Sequence, residues 1–124
     1  MTDTRFADWP ERLNDYIVSK QGTHFRYGEY DCCQFTLGAV KAMTGADHLP
    51  SYAGAREAVA LVQEKPLDKR LAEVFEPVSP AFARRGDIGY FEEACGIVLG
   101  RHTIFVGDPW RVIPTLKLES AYRV

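Results

Sequence analysis

Apolar residues at helical spacing predict a first helix over residues 9–20. Asp8 and Glu11 form a capping-box pattern at its start, Pro10 is tolerated in the first turn, and Gly22 ends it. The predicted apolar face comprises Trp9, Leu13, Tyr16 and Ile17, with Lys20 following at the same spacing.

A second helix is predicted to begin at Asp31, after an aromatic loop over residues 23–30 that contains Gly28. Asp31 is a good N-cap, Gln34 stands at the reciprocal capping position, and Gly45 stops the helix. The inner stripe of this helix comprises Cys32, Phe35, Ala39, Val40 and Met43.

The pattern then changes from helical to strand-like spacing. A polar turn over 47–54 leads to a helix over 55–63, Pro66 opens a short amphipathic turn or helix, and Pro77 and Pro80 mark an irregular connector. Strand-like runs cover residues 87–91, 95–99, 103–106, 110–113 and 122–124, with turns at Gly100, Gly107, Asp108 and Pro109. Helices first and strands afterwards predict a single α+β domain over residues 1–124, with an antiparallel sheet.

Composition gives no support for nucleic-acid binding, a membrane span or secretion. The 124 residues carry 15 Lys and Arg against 17 Asp and Glu, so a net charge of -2 gives no global reason to bind nucleic acid. No apolar run is long enough to predict a membrane span. Residues 1–10 lack the basic and apolar stretches of a signal peptide, so we expect the chain to be made in the cytoplasm without general secretory export.

The three cysteines are too few for a disulfide scaffold. The adjacent Cys32 and Cys33 lack the CxxC spacing of zinc sites, which favours one functional thiol with two bystanders. Neither a Cys32–Cys95 disulfide nor a shared metal is expected, because three scattered thiols give poor closure. No cofactor is therefore predicted.

Cys32 directly follows a capping Asp, in the first turn of the second predicted helix. The unpaired N–H groups and the dipole at a helix N-terminus stabilise a thiolate, which lowers the thiol pKa and favours nucleophilic chemistry. The alternative is that Cys32 is a small buried hydrophobe on the core stripe. Position alone leaves both interpretations open.

Three fragments, in order, resemble the NlpC family of papain-like cell-wall peptidases. They are the run from Gly22 to Gly28 followed by Asp31-Cys32, the run Gly86-Asp87-Ile88, and the run from Gly96 to Gly100. The resemblance covers roughly residues 22–107 and implies a papain-like fold with Cys32 as nucleophile, its backbone N–H helping to bind the oxyanion. The final segment, residues 120–124, is similar to a short branch of that family found among bacteriophage tail genes.

The chain departs from the family where the general base belongs. Active members carry a His two residues before the Gly of the Gly-Ile strand, and Ala94 occupies that position here. Matching the strands in register predicts that residue 94 faces Cys32. Thr103 is the polar residue on the strand where the third, orienting group should fall, and Cys33-Gln34 replaces the small pair after the nucleophile.

Other residues are weaker candidates for the base. His24, in the aromatic loop, is the better substitute, whereas His102 lies at the far end of a hairpin, roughly 17 Å along a five-residue strand. His48 is predicted to be exposed in a turn. Glu92 and Glu93 are expected to form a solvated hairpin tip, and Cys95 should point to the face opposite residue 94.

Two functions follow from the resemblance. In the first, the protein is a degenerate NlpC-like domain that acts as a structural or binding component of a phage or prophage tail tip, with tail proteins as partners and a place in the virion. In the second, it is a thiol hydrolase that cleaves peptidoglycan stem-peptide amides with Cys32 as nucleophile and His24 as base. Losing a general base typically lowers the rate about 100- to 10,000-fold, which favours the first.

Overall fold

The computed structural model describes residues 4–27, 30–107 and 109–124. Gly28 and Asp108, assigned above to a loop and a turn, lie outside the described residues. Within those ranges the chain forms four α-helices and a six-stranded antiparallel sheet, so the predicted α+β class is confirmed. No helix in this part of the chain is both long and apolar enough to cross a membrane.

The helices follow the predicted pattern closely. They are α1 (Trp9–Lys20), α2 (Cys32–Thr44), α3 (Gly54–Glu64) and α4 (Leu67–Val74). The predicted cap of α1 is wrong, because the Asp8 side chain makes no capping bond and instead accepts a hydrogen bond from Arg12 Nε at 2.7 Å. The predicted start and stop of α2 are both confirmed, with Asp31 as N-cap and Gly45 left-handed at φ 82°.

The strands are β1 (Glu76–Val78), β2 (Ile88–Phe91), β3 (Ala94–Val98), β4 (His102–Phe105), β5 (Arg111–Pro114) and β6 (Ser120–Arg123), and short 3-10 helices cover Pro80–Phe82 and Thr115–Lys117. The order in the sheet is β1-β6-β2-β3-β4-β5. Strand β1 falls where an irregular connector was predicted. It lies at the edge of the sheet, where Pro77 is tolerated because one side of an edge strand donates no ladder hydrogen bonds.

The β2–β3 hairpin fixes which residues face the helices. Ile88 pairs with Ile97 and Phe91 with Ala94, which confirms the predicted antiparallel pairing. Glu92 and Glu93 make the exposed two-residue turn, and both have positive φ values (49° and 63°), as a type I′ hairpin turn requires. The predicted solvated tip is therefore confirmed.

Helices α1 and α2 pack against each other, and α2 covers one face of the sheet. At Gly38 the two helices approach so closely that an added Cβ would lie 2.2 Å from the Tyr16 hydroxyl, which donates a hydrogen bond to the Phe35 carbonyl at 2.9 Å. The main core contains residues of α2 together with Cys95, Ile97 and Ile104 of the sheet. A smaller cluster on the other face contains Val98, Phe105 and Leu118.

A fully buried carboxylate, Asp87, joins distant parts of the chain just before β2. Its Oδ1 accepts hydrogen bonds from Arg5 Nη2 at 3.0 Å and the Val124 N–H at 3.0 Å. Its Oδ2 accepts from the Arg84 N–H at 2.8 Å and Arg123 Nε at 3.1 Å. Each oxygen thus accepts two hydrogen bonds, and Asp87 connects Arg5, near the start of the described chain, to Arg123 at the end of β6.

Candidate functional site: a thiol cluster at the start of a helix

The N-terminus of α2 is built around a buried aspartate. Asp31 is 2 % exposed, and its Oδ1 accepts a hydrogen bond from the Gln34 N–H at 2.9 Å. The Gln34 side chain does not complete the predicted capping box, because its amide donates to the Pro50 carbonyl instead, at 2.9 Å. Asp31 Oδ2 accepts a hydrogen bond from the Tyr52 hydroxyl. This network fixes the first turn of α2 and the backbone of Cys32.

Three thiols meet at this helix end. The sulfur atoms of Cys32, Cys33 and Cys95 all lie within 4.8 Å of one another. Cys95 is buried on β3 and its thiol donates to the Cys32 carbonyl at 3.6 Å, while Cys32 and Cys33 are half-buried. The expectation that the thiols are scattered is therefore wrong, because sequence separation does not measure distance across a helix–sheet contact.

The three thiols differ in acidity. Hydrogen bonds from the Cys33 thiol, and then from the Cys95 thiol, hold the pKa of Cys32 well below its ordinary value, against the opposing effect of burial. The pKa of Cys33 and that of Cys95 are raised, first because each thiol interacts with the Cys32 sulfur and further because each is largely shielded from water. The cluster therefore favours a single thiolate, on Cys32.

Tyr52 and its partner add a polar edge to the cluster. Burial first, then the hydrogen bond to Asp31 and the neighbouring Cys33, raise the pKa of the Tyr52 hydroxyl, so it stays protonated as a donor. Tyr52 lies in the segment predicted only as a polar turn, and no spacing signal in the sequence relates it to α2. Sequence reasoning missed it for that reason.

The position assigned to the missing base does not face the nucleophile candidate. Ala94 packs with the smaller cluster on the far side of the sheet, beside Val98. The prediction that residue 94 faces Cys32 is wrong, and the prediction that Cys95 points to the opposite face from residue 94 is confirmed. Thr103 pairs with Val98, and its hydroxyl lies 3.1 Å from that of Thr115, so it does not orient a group beside Cys32.

The histidines lie elsewhere among the described residues. His24 is exposed and contributes no atom to the cluster that the three thiols form. His102 is exposed at the start of β4 and pairs with Pro114. His48 is half-buried rather than exposed, because its ring packs edge-on against Phe75 with centroids 5.3 Å apart. The structure therefore brings Cys32 together with two thiols and with none of these imidazoles.

The chemistry available at this site follows from its donor set. A thiolate at a helix N-terminus is a nucleophile and a soft metal ligand. Proton shuttling in acyl transfer needs a group with a pKa near the working pH, and the pKa of each neighbouring thiol is raised instead. The geometry is better suited to binding than to hydrolysis.

Comparison with known proteins gives one family. No curated protein matches the chain. Residues 4–124, nearly the whole sequence, match the family described as a domain of unknown function, DUF6950. The chain belongs to this family, DUF6950.

Proposed function

We propose that this protein is a degenerate NlpC-like domain that serves as a structural or binding component of a phage or prophage tail tip. The observation that carries the proposal is the identity of the group opposite Cys32. The side chain that the sheet presents to Cys32 is the thiol of Cys95, where an active thiol peptidase needs an imidazole.

The papain-like assignment is supported by where the resembling fragments lie in the fold. Asp31 and Cys32 begin α2, and α2 packs against strand β3. The Gly86-Asp87-Ile88 fragment leads into β2, and the run from Gly96 lies in the strand paired with it. A nucleophile at a helix N-terminus against an antiparallel sheet is the arrangement that the NlpC resemblance implies.

A second function, thiol hydrolysis of peptidoglycan stem-peptide amides, is favoured by one observation. The Cys32 thiolate is stabilised by the neighbouring Cys33 and Cys95 thiols and by the helix N-terminus. His24 would have to leave its exposed position to act as the base for such a reaction. The first function requires no such rearrangement.

Amine release from purified peptidoglycan separates the two functions. We expect the wild-type protein to release no more free amine than its Cys32→Ala variant, while an active NlpC-type hydrolase in the same buffer provides the positive control. Cleavage by the wild type that is lost in Cys32→Ala would replace the structural function by the enzymatic one. A parallel loss in His24→Ala would identify the base.

The tail-tip assignment has its own test. Virions from the phage or induced prophage that encodes this chain should contain the protein at a fixed ratio to the tail-tip proteins after density-gradient purification. Its absence from intact virions, measured by quantitative mass spectrometry against a major capsid protein, would contradict a structural role.

A further inference from the structure

We propose that Cys32, Cys33 and Cys95 together bind one thiophilic divalent cation of the Zn²⁺ and Cd²⁺ class. The site is independent of the proposed function, because it needs neither a substrate nor a tail partner. It rests on the convergence of three sulfur atoms from two different secondary-structure elements.

The spacing of the sulfur atoms fits the size of the ion. With Zn–S bonds of about 2.3 Å, tetrahedral geometry places bound sulfurs about 3.8 Å apart. The three sulfurs already lie within 4.8 Å of one another, so each separation exceeds the spacing of bound sulfurs by about 1 Å at most. Two ligands come from the first turn of α2 and one from β3, so the ion would join the helix to the sheet.

The charge balance selects a divalent over a monovalent ion. Three thiolates around a divalent cation leave a net charge of about -1, and the helix dipole at the start of α2 favours a small negative charge there. A monovalent soft cation such as Cu⁺ would leave about -2 in a largely buried site, which costs more desolvation. Thiolate ligands also disfavour Mg²⁺ and Ca²⁺, which prefer oxygen.

The fourth position of the ion would remain open. Among the described residues, no carboxylate or imidazole joins the three sulfurs within the same 4.8 Å cluster. A site with three protein ligands and an exchangeable fourth position is the arrangement in which zinc accepts water or an incoming ligand. The Tyr52 hydroxyl, which donates to Asp31 and interacts electrostatically with Cys33 and Cys32, is one polar group at that edge of the cluster.

Direct titration tests the site. Reduced, chelator-treated protein is titrated with Zn²⁺ against a chromophoric competitor, with a non-thiol reductant present throughout. We expect one ion per chain with a Kd of about 10⁻⁷ M or tighter, accompanied by proton release, because thiols must deprotonate to bind. Cd²⁺ should bind at the same stoichiometry and produce sulfur-to-metal charge-transfer absorption in the ultraviolet.

Single Ser variants at the three cysteines provide the comparison, and His24→Ala provides the matched control. Each Ser variant should weaken Zn²⁺ binding about 100-fold or more, whereas His24→Ala should bind like the wild type. If Cys95→Ser fails to fold, protection of the wild-type thiols from alkylation by saturating Zn²⁺ gives the answer without a variant. Substoichiometric binding, binding unchanged in Cys33→Ser, or alkylation unaffected by Zn²⁺ would each overturn the proposal, and tight binding of Cu⁺ alone would overturn the divalent assignment.

Discussion

The buried carboxylate of Asp87 offers the sharpest test of how the fold is held together. Asn has nearly the same shape but only one acceptor oxygen, so Asp87→Asn keeps the packing and changes the hydrogen bonds. Four donors reach the two carboxylate oxygens, two to each, at distances from 2.8 to 3.1 Å. Whichever way the amide is turned, its NH₂ group faces two donors that lose their acceptor.

The magnitude follows from those lost contacts. Each unsatisfied buried donor costs about 1–3 kcal/mol, and removing one partner of a buried ion pair typically destabilises by about 3–5 kcal/mol. Arg5 is the more affected cation, since burial already lowers its pKa and the Asp87 charge is the largest effect opposing that. We therefore expect Asp87→Asn to lose about 3–5 kcal/mol, a large share of the roughly 5–15 kcal/mol that stabilises a typical domain.

Urea unfolding followed by circular dichroism measures the loss, with Asp8→Asn as the control. Asp8 also accepts from an arginine, at 2.7 Å, but both side chains are about half exposed and the pair is screened by solvent, so its removal should change the free energy of unfolding little. At about 4 °C per kcal/mol, Asp87→Asn should lower Tm by about 12–20 °C. A loss no larger than that of Asp8→Asn would refute the view that Asp87 anchors the fold.

Three further predictions concern the cluster and the helix contact. Without metal, the free energy of unfolding of the wild type relative to Cys32→Ser should rise with pH by at most about 1.4 kcal/mol per pH unit, up to about pH 8.5, where unfolded thiols titrate. The reason is that the lowered pKa leaves Cys32 unprotonated in the folded chain, whereas the unfolded chain still binds its proton. Above pH 8.5 this difference should level off, because Cys32 is then a thiolate in both the folded and the unfolded chain. A difference in urea unfolding that stays flat across pH 6–10 would contradict this. Cys95→His, unlike Ala94→His, should place an imidazole towards Cys32 and give partial, Cys32-dependent amine release from peptidoglycan; equal activity of the two would show that the strand faces are misassigned. Gly38→Ala should cost about 1–3 kcal/mol in urea unfolding, because the added methyl meets a hydroxyl of α1; a neutral change would show that the helices separate easily.

Local signals in the sequence predicted the helices well. The start and end of α2 depend on Asp31 and Gly45, whose chemistry acts within one turn of the chain. The β2–β3 hairpin was predicted as well, because two apolar runs flank a short polar tip and the family resemblance pairs the two fragments. Strand β1 was missed because its pairing with β6 is made by residues over 40 positions away, and Pro77 argued locally against a strand.

The candidate site was predictable only in part. Cys32 was found from its place after a capping aspartate, which is a local signal. The approach of Cys95 was not found, because it depends on how β3 is placed against α2, and Cys95 stands 63 positions after Cys32 in the sequence. The base position was assigned to Ala94 by resemblance, whereas the pleat of β3 turns that residue to the other face.

Whether residue 94 or residue 95 faces α2 decides which side chain lies beside Cys32. Asp87 helps to hold the strand register on which this depends. The Asp87 carboxylate fixes Arg123 and Val124 of the β6 segment, while its backbone carbonyl accepts a hydrogen bond from the Val98 N–H at 2.9 Å. Strand β3 is therefore anchored at the end of the hairpin opposite the tip, which fixes the pleat that turns Cys95 to α2. Because side chains alternate strictly along a strand, a slip by one residue would exchange Cys95 for a residue of the opposite face. We therefore expect Asp87→Asn to weaken the proposed Zn²⁺ binding in the competition titration, in protein whose helical circular dichroism signal is unchanged.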